Sequence, residues 1–288
     1  MIKKIGFIGL GTVGKSMAQN LLKGDYDLTV FDNKKEAVEK LTEQGARGAE
    51  SPLEAAEDKD IVITVLPYED ELKQTLSSEG GFLSGCKPGT ILCAMGTHCL
   101  EMTQDVAREA KARGIDFLDA PVWGTREHAA HGLLTVLVGG DKGVVSRCRE
   151  VLSHVALNIM HVGEIGDGTR MRFVVTLMQS NLMEALAESL VLGQRLGFNN
   201  DQIMEVLDAG GVVSPMLHKK GRSVARGNFQ RNLALKYVYE GLCDAKQAAG
   251  IVRTHLPGLD AVIDVYKEAM EQGLGEEDYS AVIKVLQK

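Results

Sequence analysis

Three glycines and one acid near the start of the chain carry its clearest chemistry. Gly9, Leu10, Gly11, Thr12, Val13 and Gly14 form a GxGxxG loop. Residues 3–10 read as a short buried strand that runs into this loop, and the stretch from Lys15 reads as a helix. In that context each glycine has a task. Gly9 permits the tight strand-to-helix turn, Gly11 lets a pyrophosphate approach the backbone, and Gly14 lets the helix sit close on the strand. The start of the helix turns N–H groups and the positive end of its dipole toward the phosphates. A second strand begins at Asp27 and ends at Asp32, whose carboxylate suits ribose hydroxyls and repels a 2′-phosphate. Lys34 and Lys35 follow and tolerate a phosphate, so the expected cofactor is NAD, with NADP as the lesser alternative.

The elements that position this loop read as alternating strands and helices up to about residue 161. Further strands are expected at 60–67, 89–96, 116–122 and 133–140, with helices at 34–43 and 100–113. Such alternation implies βαβ units and a mostly parallel, doubly wound sheet, whose ligands bind outside the carboxyl ends of the strands. Asp32, Leu66, Pro67, Gly96, Thr97 and the segment after Val122 are thereby expected around one crevice. From Asp167 the pattern changes. Residues 169–192 contain no glycine or proline, and Met171, Val174, Val175, Met178, Leu182, Leu186 and Leu190 recur at helical spacing. This predicts a helix of about 24 residues and roughly 36 Å, the spine of a second, helical domain. Its methionines and valines are expected in the core or at a dimer interface. More helices are expected at 200–209, 233–253 and 258–272.

Bulk properties fit a soluble enzyme of the cytoplasm. The net charge is −7, which implies no nucleic-acid surface. No segment is apolar and long enough to span a bilayer, and no signal peptide precedes the first strand, so an intact N-terminus is expected. The five cysteines are odd in number and lack CxxC spacing, so reduced thiols are expected rather than disulfides or a metal site. Cys93, His98 and Cys99 read as a strand leading to a loop. His128 and His131 read as a solvated face rather than metal ligands.

Three motifs in order carry a family resemblance: the GxGxxG loop, the segment from Asp119 through Val122, Trp123, Gly124 and Thr125 with its partner at 132–140, and the stretch 163–172 that opens the long helix. Together they resemble the β-hydroxyacid dehydrogenases, which include 3-hydroxyisobutyrate dehydrogenase, tartronate semialdehyde reductase and the succinic semialdehyde and glyoxylate reductases. The resemblance covers essentially the whole chain and is nearest the semialdehyde reductases. It implies an α/β fold: an N-terminal NAD-binding Rossmann domain at 1–164 and an all-helical substrate and dimerisation domain at 165–288, joined by a long interdomain helix. It also implies an active site between the domains and a homodimer or homotetramer. By the same resemblance Gly9, Gly11 and Gly14 match the phosphate loop, Asp32 the ribose acid, Leu66 and Pro67 the segment along the cofactor, and Thr97 the hydroxyl near the nicotinamide.

The remaining implied positions depart from the family pattern. A substrate-loop serine is replaced by Trp123, the chain's only tryptophan. The lysine that acts as general acid/base is replaced by Arg172, and the asparagine one turn later by Thr176. A lysine–aspartate pair further on aligns with Glu240 and Gly241, with Lys236 one turn away. Lysine tuned by burial exchanges a proton near neutrality. Arginine stays charged, yet it stabilises a developing alkoxide by charge and directed N–H groups. Arg172 is therefore the candidate catalytic residue. Trp123, Gly124, Thr125, Arg126 and Thr176 are the candidate substrate contacts, with Arg126 suited to an anionic substrate and Arg170 less so. Tyr237, Tyr239, Lys236 and His218 are the candidates for a proton relay.

Three functions follow. The first is an NAD(H)-dependent oxidoreductase interconverting a small hydroxyacid and its semialdehyde or oxo acid. The second is an imine-type reductase, which needs no lysine. The third is a catalytically inactive NAD-binding scaffold.

Overall fold

The computed structural model describes residues 2–66, 75–76 and 81–287. By its internal contacts the chain divides into two units, Met1–Arg172 and Phe173–Lys288.

Among the described residues the first unit is built on a nine-stranded sheet: β1 (Lys4–Ile8), β2 (Asp27–Phe31), β3 (Arg47–Gly48), β4 (Ile61–Thr64), β5 (Ile91–Ala94), β6 (Asp116–Asp119), β7 (Val122–Trp123), β8 (Leu134–Gly139) and β9 (Ala156–Gly163). The order is β3-β2-β1-β4-β5-β6-β8-β7, with β9 paired to β8. The six strands from β3 to β6 are all parallel. Their order reverses beside β1, which makes its carboxyl end the switch point where ligands of such sheets bind. Strands β4 and β5, of sequence IVIT and ILCA, are buried at every position because helices cover both faces. At β8 the sheet turns mixed: β6 and β7 pair with it antiparallel and β9 parallel.

Sequence patterning finds the strands but overextends them. The expected strand at 60–67 is Ile61–Thr64, and that at 116–122 breaks into β6 and β7 around Pro121. Two strands lie outside the expectation. The pair Arg47–Gly48 is too short to show a period, and Ala156–Gly163 lies mostly exposed, with Leu157 and Met160 turned outward, so it lacks the apolar run of a buried strand.

The long helix is Asp167–Arg195. Its first residues, through Arg172, belong to the first unit. The second unit adds helices Asn200–Ala209, Pro215–Ala225, Leu235–Ile251, Pro257–Glu271 and Ile283–Leu286. Helix Pro215–Ala225, absent from the periodicity reading, starts at a Ser214 cap with Pro215 in its first turn. Met183, Leu186, Ala187 and Leu190 of the long helix are buried, whereas Val174 and Met178 are each 61% exposed in this chain. The unit also buries one ion pair. The Lys220 ammonium donates to Asp278 Oδ1, while Asp278 Oδ2 accepts from the amides of Asn232 and Leu233. Burial pushes Lys220 down from its ordinary range, against the attraction of Asp278.

Candidate active site

Strand β1 leads to the glycine loop, and each glycine there has a separate reason. Gly9 adopts φ +100°, and a Cβ there meets the Val65 carbonyl oxygen at 2.4 Å. A Cβ on Gly14 lies 2.0 Å from the Gly9 carbonyl oxygen, so helix Thr12–Leu21 sits on the turn with no room for a side chain. Around Gly11 nothing lies within 4 Å of that position. Gly11 is also the N-cap of the helix and supplies no side-chain cap. The first-turn N–H groups thus face an open cradle with no side-chain acceptor from the cap, the arrangement that receives an anion. These residues fit a dinucleotide pyrophosphate.

Asp32 stands at the end of β2. Its Oδ2 accepts from the Leu10 amide at 2.6 Å, and its Oδ1 accepts from the Lys34 amide at 2.8 Å. The carboxylate therefore pins the glycine loop, a task not foreseen from sequence, and its remaining lone pairs suit ribose hydroxyls. Lys34 and Lys35 are exposed. Leu66 is buried after β4, and its carbonyl oxygen lies 2.3 Å from where a Cβ on Gly96 would sit. Thr97 is exposed after β5, and Pro67 lies outside the described residues.

The segment after β6 is a folded clip. Gly124 has φ +150°, and a Cβ there meets the Leu134 side chain at 2.7 Å. Thr125 caps helix Arg126–Ala130: its hydroxyl accepts from the His128 amide, and His128 Nδ1 accepts from the Thr125 amide. His131 Nδ1 pairs with the Glu127 carbonyl. Both histidines thus serve the clip itself. Among the described residues no group of three or more His, Cys, Asp or Glu side chains is placed to hold a metal ion. Trp123 is 43% exposed and Arg126 is exposed. Of the cysteine pair near His98, Cys93 is buried in β5, while the Cys99 sulfur caps helix Leu100–Ala112 by accepting from the Met102 amide.

Arg172 is 8% exposed. The turn before it is held by Asp119, a residue outside the candidate set. Asp119 is 2% exposed at the end of β6; its Oδ1 accepts from the Gly166 amide and its Oδ2 from the Thr169 amide, each at 2.8 Å. Glycines 139 and 168 leave it room, since a Cβ on either meets an Asp119 carboxylate oxygen within 2.8 Å. Burial pushes the Asp119 carboxyl up, against the pull of those two amides. The Thr103 and Thr169 hydroxyls meet at 3.2 Å, tying helix Leu100–Ala112 to the same turn. Arg170 forms an exposed ion pair with Asp167 at 2.7 Å.

In the second unit, Thr176 is buried, and a Cβ on Gly241 would meet its Cγ2 at 3.2 Å. The two positions where the family pattern implies asparagine and aspartate are therefore neighbours, one holding a threonine and the other a glycine. The relay candidates are occupied within this unit. Lys236 pairs with Glu276 and lies over the Tyr237 ring, Tyr239 shares a hydrogen bond with Cys243, and His218 Nδ1 faces Asp208 while its Nε2 accepts from Arg222.

Comparison with known proteins sets this geometry in a family. The family described as the NAD binding domain of 6-phosphogluconate dehydrogenase matches residues 4–163. That described as the NAD-binding domain of NADP-dependent 3-hydroxyisobutyrate dehydrogenase matches residues 166–286. The 2-(hydroxymethyl)glutarate dehydrogenase of Eubacterium barkeri is 35% identical over 283 residues, 98% of this chain and 94% of its own. The cytokine-like nuclear factor N-PAC of Homo sapiens is 30% identical over 282 residues, 98% of this chain, and the chain spans 51% of that relative's length. Among solved structures, 3-hydroxyisobutyrate dehydrogenase from Salmonella typhimurium superposes with a TM-score of 0.91 at 27% identity, covering 98% of this chain and 99% of its own.

Proposed function

The chain belongs to the β-hydroxyacid dehydrogenase family, and from that premise we propose that it interconverts a small hydroxyacid and its semialdehyde or oxo acid, with Arg172 in place of the usual lysine. The observation that carries this reading is the burial of Arg172. It stands on the turn that Asp119 holds, where the family resemblance implies the proton-transfer group.

Nicotinamide, when bound, donates or accepts the hydride. The residues of the chain do the rest. The open cradle at Gly11 and the N–H groups of the helix start would hold the pyrophosphate, and the Asp32 carboxylate would accept from ribose hydroxyls and favour NAD over NADP. Arg172 polarises the substrate carbonyl and holds the alkoxide oxygen by charge. It remains protonated throughout, so the proton for that oxygen comes from solvent or another group. Arg126 binds the substrate's anionic end, and Trp123 gives the pocket a larger apolar wall than a serine does. Gly124 and Thr125 complete the contacts that the clip offers. Among the described residues no helix is long and apolar enough to cross a membrane. The same reading places the enzyme in the cytoplasm as a homodimer or homotetramer.

The test is NADH consumption with succinic, malonic, tartronic and methylmalonic semialdehydes, a sulfonated semialdehyde and glyoxylate, alongside NADH and NADPH titrations. Turnover of any member, with NADH bound more tightly than NADPH, is the expected result. Tight NADH binding with no turnover across the panel sinks the reading. It would favour an imine-type reductase or a nucleotide-binding scaffold, and the similarity to a relative named a nuclear factor supports the scaffold.

A further inference from the structure

Asn20 lies on the nucleotide helix, 3% exposed, and its amide is committed to a distant partner. Its Nδ2 donates to the Ala129 carbonyl at 2.8 Å, across 109 residues of sequence. Its Oδ1 accepts from the Lys23 ammonium. Ala129 is fully buried in the same apolar cluster as Met17 and Leu21 of that helix. The rest of the clip is internally closed: the cap at Thr125, the His131–Glu127 bond, and the Leu133 amide donating to the His128 carbonyl at 2.8 Å. A segment that is stiff within itself and fixed to one helix moves with that helix.

We infer that Asn20 is a positioning residue, which registers the Trp123–Arg126 clip against the helix that receives the cofactor pyrophosphate. The functional part rests on the reading of Trp123 and Arg126 as substrate contacts. The Ala129 carbonyl accepts from the Gly132 amide within the clip at 3.3 Å and from Asn20 at 2.8 Å, and β7 ties the start of the clip to β8, so the Asn20 bond is the hydrogen bond that sets the helical end of the clip against the phosphate-loop helix. Nucleotide affinity does not require it, because neither Gly11 nor Asp32 touches Asn20 in the hydrogen-bond network.

Trp123 is the chain's only tryptophan, so its fluorescence reports on the clip without any assay of turnover. The experiment compares native protein with Asn20→Ala and Asn20→Asp. The aspartate keeps the shape and the Lys23 contact but sets an oxygen against the Ala129 carbonyl. Both variants are expected to raise acrylamide quenching of Trp123 about twofold as the clip loosens, while the Kd for NAD⁺ stays within about threefold. With whichever semialdehyde the native enzyme reduces, KM is expected to rise about tenfold with kcat within about twofold. Asn20→Asp separates the lost donor from lost volume, and a thermal melt of each variant, with quenching read well below its Tm, separates loosening of the clip from a folding defect. Unchanged quenching in Asn20→Asp overturns the inference. So does a parallel loss of NAD⁺ affinity and semialdehyde KM, which marks a merely structural residue. If the native protein reduces no semialdehyde, the proposed function fails, and the quenching result alone decides whether Asn20 holds the clip.

Discussion

The glycine loop and the turn that carries Arg172 both lie in the first unit, yet they relate to their family pattern in opposite ways. At the loop every residue type matches what the pyrophosphate needs: φ +100° at Gly9, open space at Gly11, and backbone 2.0 Å from a Cβ at Gly14. At the Arg172 turn the reactive group departs from the family pattern. Asp119 caps the turn with two 2.8 Å bonds, and arginine stands where the resemblance implies lysine. In the second unit Thr176 and Gly241 meet where a polar pair is implied. Steric constraint explains the difference. A glycine at a contact with backbone has no substitute, whereas a cation held by a capped turn can change chemistry without disturbing the turn.

The largest effect is expected at the tightest contact. Gly14→Ala forces a methyl against the Gly9 carbonyl, and the helix must move away from the strand. NADH affinity measured by fluorescence is expected to fall about 100-fold, alongside a packing cost of about 1–3 kcal/mol. An alanine variant that binds NADH normally removes the argument for close packing.

Arg172→Ala is expected to lower kcat by about 10²–10³ with NADH affinity retained, as when a charge stabiliser of the reacting oxygen is lost. Arg172→Lys sharpens the point. The arginine enzyme has no ionisation at this position between pH 6 and 9, while lysine adds one and with it an alkaline limb in hydroxyacid oxidation. Identical pH–rate profiles for the two would mean that residue 172 does not face the reacting oxygen.

Asp119→Asn turns one accepting oxygen into a donor facing an amide. Thermal melts are expected to show a loss of about 1–3 kcal/mol. A concurrent fall in kcat of about tenfold follows from the displaced Arg172 turn. A stability loss with unchanged kcat would limit Asp119 to the fold.

The smallest effect belongs to Glu184 of the long helix, whose pKa is pushed up to about 7 by burial and by Glu188 one turn away. The folded chain thus holds this proton more tightly than the unfolded chain, and stability falls as pH rises from about 4.5 toward about 7. Glu184→Gln is expected to raise Tm at pH 8 by about 1–3 °C, with the difference gone near pH 4.5. An equal shift at both pH values would show that the effect is not electrostatic.

Much of the first unit is legible in residues taken locally. A strand, three glycines, a helix and Asp32 follow one another within 32 residues, and each step obeys steric rules that neighbours in sequence settle. The exposed strand β9 and the two-residue β3 were not legible, because neither shows a buried apolar period. Asn20 and Asp119 were also invisible as functional candidates. A lone polar residue on a helix or at a strand end carries no signal until its partner is known, and those partners lie 109 and about 50 residues away.

By itself, then, the sequence determined the phosphate loop, the doubly wound sheet, the helical second half and the substitution at position 172, since each rests on local sterics, periodicity or residue identity. It took the folded chain to show that Asp32 pins the loop it serves, that Arg170 is spent on Asp167, that Thr176 faces Gly241, and that Asn20 and Asp119 hold the two segments bearing Trp123 and Arg172. Those are choices among hydrogen-bond partners, and a buried donor or acceptor takes whichever complement the fold brings within reach.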